Sequence, residues 1–372
     1  MNLVEQHWIE ELINLTCMIQ QIPSPTFNEA RRGEFVRLEF IQSGLAQVHA
    51  DSSGNIWGLL PGLAARPLTI TAHLDTVFPL ETPLTLQRLG TKIQAPGIGD
   101  NSLGVAGLVM LAKYLKSLEV PLPTDLWLVA NVCEEGLGNL DGMRAVAEQF
   151  KGQPGMYIVV EGMGLGDIVH RGLGVKRYRW LVETGGGHSW IDYGSPSAIH
   201  LLAQAAAKLS TIRLPEKPRT TFNIGTIQGG TSINTIAAHA AMLLDLRSED
   251  PTSLAHLDNQ VRAVAEAVHV KGVKVILEEI GLRPAGEMAI EHPLVQMSAN
   301  VLRGLGLVPG FDIASTDANI PLSLGQPAVC IGLTVGDGAH TTQETIDLNA
   351  LPQGFTQLVR LVQQASELHS RL

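Results

Sequence analysis

The chain has little of several things that would direct its reading elsewhere. It holds three cysteines in 372 residues, Cys17, Cys133 and Cys330, scattered and each in apolar surroundings. That argues against a disulfide framework or a cysteine-based metal site and fits reduced thiols in a cytoplasmic protein. Basic residues are in the minority, 26 Lys and Arg against 36 Asp and Glu, for a net charge of -10 with no local basic run. A nucleic-acid footprint is excluded on that basis. No stretch reaches the roughly 18 consecutive apolar residues a membrane-spanning helix needs, so no membrane partner is expected. The first eleven residues carry Glu5, Glu10 and Glu11 and no basic segment, so no signal peptide is expected. Two catalytic signatures are missing as well. There is no Gly-x-Ser-x-Gly of a serine hydrolase. Gly162-x-Gly164-x-Gly166 and Gly97-Ile98-Gly99 lack the spacing of a dinucleotide-binding loop.

What is present is the composition of a globular protein, 45% hydrophobic and 17% charged, in a chain long enough for two cores. Residues 3–20 and 28–43 read as amphipathic helices, separated by the breaker Ile22-Pro23-Ser24-Pro25. Extended runs at 55–60 and 68–73, a small-residue helix at 103–118, a strand at 125–132, a helix at 142–149 and a strand at 156–161 follow. Continuous apolar strands separated by helices indicate an α/β sheet covered on both faces. The rhythm changes over 174–281: strand 175–183, helix 196–209, strands 221–228 and 238–247, a helix from Asp250-Pro251 to about 268, and strand 273–279. That β-α-β-β-α-β order is the ferredoxin-like signature. Helices at 293–305 and 350–368 and a strand at 328–333 resume the first pattern. The expected fold class is therefore α/β, with a discontinuous domain of residues 1–175 and 282–372 and an inserted α+β domain at 176–281.

The pair Glu134-Glu135 closes the apolar run Leu126–Val132 and precedes Gly136. Adjacent carboxylates at the mouth of a buried strand resist joint ionisation, and a nearby cation reverses that cost. Four further positions share the setting: His73 after Leu68–Ala72, Asp100 in Gly97-Ile98-Gly99-Asp100, Glu161 after Ile158–Val160, and His340 in Gly338-Ala339-His340. Strand ends and the loops after them are where α/β sheets bind ligands. Imidazole together with carboxylate suits zinc, manganese or cobalt. In His73-Leu74-Asp75 the strand period puts both polar side chains on one face, so Asp75 can accept the second ring N–H of His73. Each residue also has a plainer reading; Asp100, for one, could cap the helix that follows it.

In this order and spacing, His73-Leu74-Asp75, Gly99-Asp100-Asn101, Glu134-Glu135-Gly136, Glu161 and Ala339-His340 resemble the M20 family of metallopeptidases. That family includes glutamate carboxypeptidases, acetylornithine and succinyl-diaminopimelate deacylases, and tripeptidases. The resemblance spans nearly the whole chain. It implies a zinc-peptidase-like catalytic domain with a central mixed sheet flanked by helices, and a lid and dimerisation domain at 176–281. It implies two divalent ions, zinc first with cobalt or manganese as alternatives. Asp100 would bridge them, His73 and Glu161 completing one and Glu135 and His340 the other. Glu134 would be the general base, taking a proton from a metal-bridging water and delivering it to the leaving amine, with Asp75 behind His73. A cis bond is expected at Asp100-Asn101. Gly185-Gly186-Gly187-His188-Ser189 resembles the lid motif whose histidine reaches a partner subunit's site and stabilises the tetrahedral oxyanion. Asn234 in Ile233-Asn234-Thr235, Arg247 in Asp245-Leu246-Arg247 and Thr316 in Ser315-Thr316-Asp317-Ala318 resemble substrate-contacting segments. Glu344 is expected behind the ligands.

There are departures. The bridging motif is Asp100-Asn101-Ser102, without the family's usual lysine, and the Asn234 segment lacks its usual proline. Glu161 rather than Asp leans toward carboxypeptidase-like and deacylase members. The expected function is two-metal-dependent hydrolysis of a peptide or N-acyl amide bond in a small substrate, one bearing a free carboxylate for Arg247, by a cytoplasmic homodimer. The alternative is a silent member of the fold acting as a small-molecule or peptide binding module.

Overall fold

A computed structural model describes residues 3–153, 155–268 and 270–371. The chain divides into two compact units, Met1–Gly172 with Gly286–Leu372, and Leu173–Ala285. Each encloses its own apolar core. The second unit is wider at both ends than the expected 176–281, because its first and last strands stay paired out to Val175 and Arg283.

In the first unit, nine strands form one mixed sheet among the described residues. Its centre is four parallel strands, in the order Thr124–Asn131, Ala64–His73, Met156–Met163 and Ala328–Thr334. These strands are mostly apolar on both faces because both are covered, and Ala328–Thr334 is buried at every residue. Helix Gly104–Ser117 packs on Ala64–His73 and Met156–Met163, and helix Leu351–Ser370 on Ala328–Thr334. Burying each Val, Ile or Leu of these strands contributes about 1.5–3 kcal/mol. Antiparallel strands extend the sheet: Ile56–Leu60 and Ala46–Ala50 on one side, Asp167–Gly172 and Gly286–Glu287 on the other, with Gly310–Ala314 alongside Asp167–Gly172. Because the four central strands run parallel, the chain leaves all of them at the same edge. His73, Asn131, Glu161 and Thr334 therefore lie at or within two residues of strand ends on that edge.

A second, four-stranded sheet of short strands joins Gly336–Asp337 and Thr345–Asp347 to Lys92–Gln94 and Gln87–Leu89. It fastens the loop holding His340 beside the loop holding Asp100, and Ala95 N–H donates to the Glu344 carbonyl at 3.0 Å.

In the second unit, strands Gly174–Glu183, Thr220–Gly229, His239–Ser248 and Lys274–Arg283 form an antiparallel sheet with Thr220–Gly229 at one edge. Helices Ala198–Leu209 and Pro251–Ala267 complete the β-α-β-β-α-β order. The second helix starts as its sequence predicts: the Asp250 carboxylate accepts Ser253 N–H at 2.7 Å and Pro251 occupies the first turn. Gly187-His188 and Thr235-Ile236 pair as a separate two-stranded turn.

Candidate metal centre

Five segments that are far apart in sequence converge at the sheet edge. The Asp100 carboxylate is shared between two imidazoles: His73 Nε2 lies 3.1 Å from Oδ1 and His340 Nε2 lies 3.0 Å from Oδ2. Each ring also meets a second acid, His73 Nε2 at 3.4 Å from Glu161 and His340 Nε2 at 3.3 Å from Glu135. Three overlapping groups result: His73, Asp100 and Glu161; Asp100, Glu135 and His340; His73, Glu134 and Glu135. Within each, the donor atoms lie within 4.8 Å of one another. His73, Glu134 and Glu135 are buried, Asp100 and Glu161 half-buried, and His340 exposed.

The arrangement packs more acid than base into a low-dielectric place. Burial alone would depress the His73 ring, but Glu161, Asp100 and Asp75 outweigh it and hold the imidazole well above its ordinary value. Bonds to Asp100 and Glu135 push His340 up to about 10. Against burial, the His340 and His73 rings hold Asp100 well below the usual carboxylate range. Burial, with Asp100 and Glu135 close by, pushes Glu161 up. Carboxylates that resist joint ionisation, arranged around imidazoles, form a donor set that fits divalent cations.

The backbone around these side chains is fixed by neighbours. Asp75 does more than face His73. Its Oδ1 accepts Glu134 N–H at 3.0 Å and its Oδ2 accepts Glu135 N–H at 2.8 Å and the Thr26 hydroxyl at 2.9 Å. His73 Nδ1 is closer to the Asp75 carbonyl, 3.0 Å, than to its carboxylate, 3.5 Å. The expected link from His73 to the Asp75 side chain is thus the weaker of its two contacts, and the carboxylate chiefly clamps the Glu134-Glu135 turn. Glu344 takes the Asp100 loop in the same way, accepting Gly99 N–H at 2.6 Å, Asp100 N–H at 2.8 Å and Gly97 N–H at 3.3 Å. Burial pushes the Glu344 carboxyl up to about 7.

Asp100 does not cap the following helix. Asn101 Oδ1 accepts Gly104 N–H at 3.1 Å, while its amide donates to the Val160 carbonyl at 2.9 Å beside Glu161. The Asp100-Asn101 peptide bond is cis. Gly162 is required here, because a Cβ at that position would overlap the Gly99 carbonyl.

Other residues the sequence reading did not single out hold the same edge. Asn131, register partner of His73, accepts Leu74 N–H at its carbonyl and donates its side chain to Asp317 Oδ2 at 2.7 Å. That bond anchors the loop with Thr316 at the end of the His73 and Asn131 strands. Burial pushes the Asp317 carboxyl up to about 7. Glu29 Oε1 accepts Phe27 N–H and Cys133 N–H, fixing the residue before Glu134. The signal for Asn131 was present in the sequence as the one polar residue of an apolar run; Glu29 and Thr26 carried none.

The three remaining candidates lie in the second unit. His188 and Asn234 are brought side by side, since Ser189 N–H donates to the Asn234 carbonyl at 3.0 Å. Arg247 is not brought to them. It stands at the other end of strand His239–Ser248, eight residues and roughly 25 Å from His239 at ~3.3 Å per residue. Its Nε is paired with Asp245 at 2.6 Å.

The family model described as Peptidase family M20/M25/M40 matches residues 69–364. The uncharacterized Bacillus subtilis protein YqjE is 23% identical over 379 residues, covering 98% of this chain and 99% of its own. A tripeptidase from Staphylococcus aureus superposes with a TM-score of 0.79 at 21% identity, covering 96% of this chain and 99% of its own. A dinuclear metal-binding M20 peptidase from Bacillus subtilis superposes with a TM-score of 0.69 at 17% identity, covering 98% and 99%. At these identities the structural likeness establishes the fold, and no helix among the described residues is long and apolar enough to cross a membrane. With the family model matched over most of its length, the chain belongs to peptidase family M20/M25/M40 and is a hydrolase.

Proposed function

We propose that this hydrolase uses two divalent ions to cleave a peptide or N-acyl amide bond of a small substrate. The observation that carries the reading is the Asp100 carboxylate shared between His73 and His340, each ring backed by one further acid. In this reading His73, Asp100 and Glu161 hold one ion, and Asp100, Glu135 and His340 the other. Bound there, the ions, zinc first with cobalt or manganese as alternatives, supply Lewis acidity to the scissile carbonyl and lower the pKa of water.

The chain's own residues do the rest. Glu134 lies in the group with His73 and Glu135, on a turn clamped at both N–H groups by Asp75. It takes a proton from the attacking water and returns it to the leaving nitrogen, a role that suits a carboxylate fixed within reach. His188 of a paired copy would reach this site and donate a hydrogen bond to the oxyanion of the tetrahedral intermediate. Asn234 and Thr316 contact the substrate. The free carboxylate rests on Arg247, whose Nε is engaged by Asp245 and whose Nη groups would meet the substrate. The second unit would also pair two copies of the chain through its exposed edge strand Thr220–Gly229, which light scattering would detect as twice the chain mass.

The test is hydrolysis of di- and tripeptides and of N-acetyl, N-succinyl and N-carbamoyl amino acids, after chelation and again with added zinc, cobalt or manganese. Turnover restored by metal, and reduced about 10³-fold in Glu134→Ala with metal still bound, is the expected result. Full turnover in the chelated protein, or in Glu134→Ala, would reject the reading.

A further inference from the structure

The turn carrying His188 is fixed by bonds to its backbone and to the imidazole itself. His188 N–H donates to Asp192 Oδ2 at 2.7 Å, and Asp192 N–H returns to the His188 carbonyl at 3.0 Å. Across the turn, His188 is the register partner of Thr235. The ring is bonded as well. Its Nδ1 faces two main-chain donors, Trp190 N–H at 3.2 Å and Ile191 N–H at 3.4 Å. Gly187 sits at φ 149, and a Cβ there would come within 2.8 Å of Asp192 Cβ and 2.9 Å of Asp192 Oδ2. Gly187 and Asp192 are therefore matched: the absent side chain of one leaves the space that the carboxylate of the other occupies.

A ring nitrogen that accepts from two N–H groups carries no hydrogen, so in the neutral imidazole the hydrogen is on the other nitrogen. We infer that Gly187 and Asp192 are positioning residues that hold His188 as its neutral Nε2–H tautomer, presenting it as a hydrogen-bond donor and not as a proton acceptor. The inference rests on the reading that His188 meets the substrate. A donor aimed at a position where negative charge develops contributes most when it needs no reorientation during the reaction. The turn supplies that condition through bonds within six residues, backed by the paired segment 234–236. It also separates the two polar roles cleanly: Glu134 moves the proton, and His188 holds its own.

The experiment uses the full chain, zinc-loaded and 15N-labelled, at pH 8. Long-range 1H–15N spectra of the histidine rings report which nitrogen is protonated, and His188→Ala identifies the His188 signals among the 12 histidines. The expected result is a hydrogen on Nε2 of His188. In Asp192→Ala the tautomer preference weakens and kcat falls about tenfold with KM within about twofold. Asp192→Asn, which keeps an oxygen acceptor for His188 N–H, returns kcat to within about threefold. A hydrogen on Nδ1 in the unmodified protein overturns the inference. So does Asp192→Ala with an unchanged ring spectrum and unchanged kcat. Full activity in His188→Ala, with Nε2–H observed in the unmodified chain, would instead reject the proposed catalytic part of His188 and leave the tautomer assignment standing.

Discussion

The acid–imidazole cluster of the first unit and the His188 turn of the second are built by opposite means. The cluster gathers side chains from five distant segments, and three of its six residues are buried with two more half-buried. The turn is one contiguous stretch, and its residues His188 to Asp192 are exposed. In the cluster, fixation reaches across segments: Asp75 holds the Glu134-Glu135 backbone and Glu344 holds the Asp100 backbone. In the turn, the imidazole is fixed by atoms within four residues of His188, and one pairing with Thr235-Ile236 ties the turn to the rest of its unit. A buried assembly of that kind loses much when one member goes, because the remaining charges stay where water cannot screen them. An exposed turn loses only what the missing atom supplied.

The sharpest way to break the comparison is Asp100→Ala. It removes the one carboxylate both imidazoles share, and bound metal is expected to fall from two per chain toward zero with loss of measurable turnover. Elemental analysis of the purified variant checks this; a variant that keeps both ions would show that Asp100 is not the shared group. Next comes Asp75→Ala, which leaves every candidate ligand in place but releases the Glu134-Glu135 turn. Metal affinity or kcat/KM should drop about 10–100-fold, the usual cost of losing a group behind the ligands. An effect below about threefold would mean the turn holds itself.

The third prediction concerns pH in the metal-free protein. His340 is raised to about 10 by Asp100 and Glu135, and His73 is raised as well. Because these folded values exceed the unfolded one of about 6.5, the ion pairs stabilise fully below about pH 6.5 and lose their contribution as pH rises through 10. Metal must displace the same protons, so its affinity should strengthen with pH, about tenfold per unit for each proton displaced. Calorimetry in two buffers of different ionisation enthalpy would reveal the released protons; none released would contradict the protonated pairs. The smallest effect is expected from Arg247→Ala. With Nε already on Asp245, KM for substrates bearing a carboxylate should rise about fivefold and kcat should hold, with amidated analogues unaffected. Equal losses on both substrate types would remove the carboxylate from the proposed function.

The α/β core was legible because its strands are long, apolar and followed by polar residues at one edge; the runs at 68–73, 125–132, 156–161 and 328–333 all correspond to strands. Asp167–Gly172 and Gly310–Ala314 were not legible. The first alternates within six residues flanked by glycines, and the second is half-exposed with no apolar run, so neither rises above turn composition. At the cluster, motif order pointed to the residue types that meet. It could not reveal that Asn101, rather than Asp100, takes the Gly104 N–H, or that the Asp75 carboxylate holds a backbone turn more closely than a ring. Both depend on which of two adjacent side chains turns inward. Thr26 and Glu29 act on the site through Asp75 and Cys133, residues distant in the chain, and one sequence carries no mark of such contacts.

The four parallel strands also tie distant parts of the chain to one carboxylate. His73 and His340 reach the same carboxylate, yet the whole inserted unit lies between them in the chain. Closing so long a loop costs entropy that only the completed sheet can offset. Until Ala328–Thr334 has docked beside Met156–Met163, there is no second imidazole for Asp100 to share. Ions that bound only the finished arrangement would stabilise the native chain by mass action. Metal occupancy in this protein would thus register that both ends of the chain have found each other, before any substrate arrives.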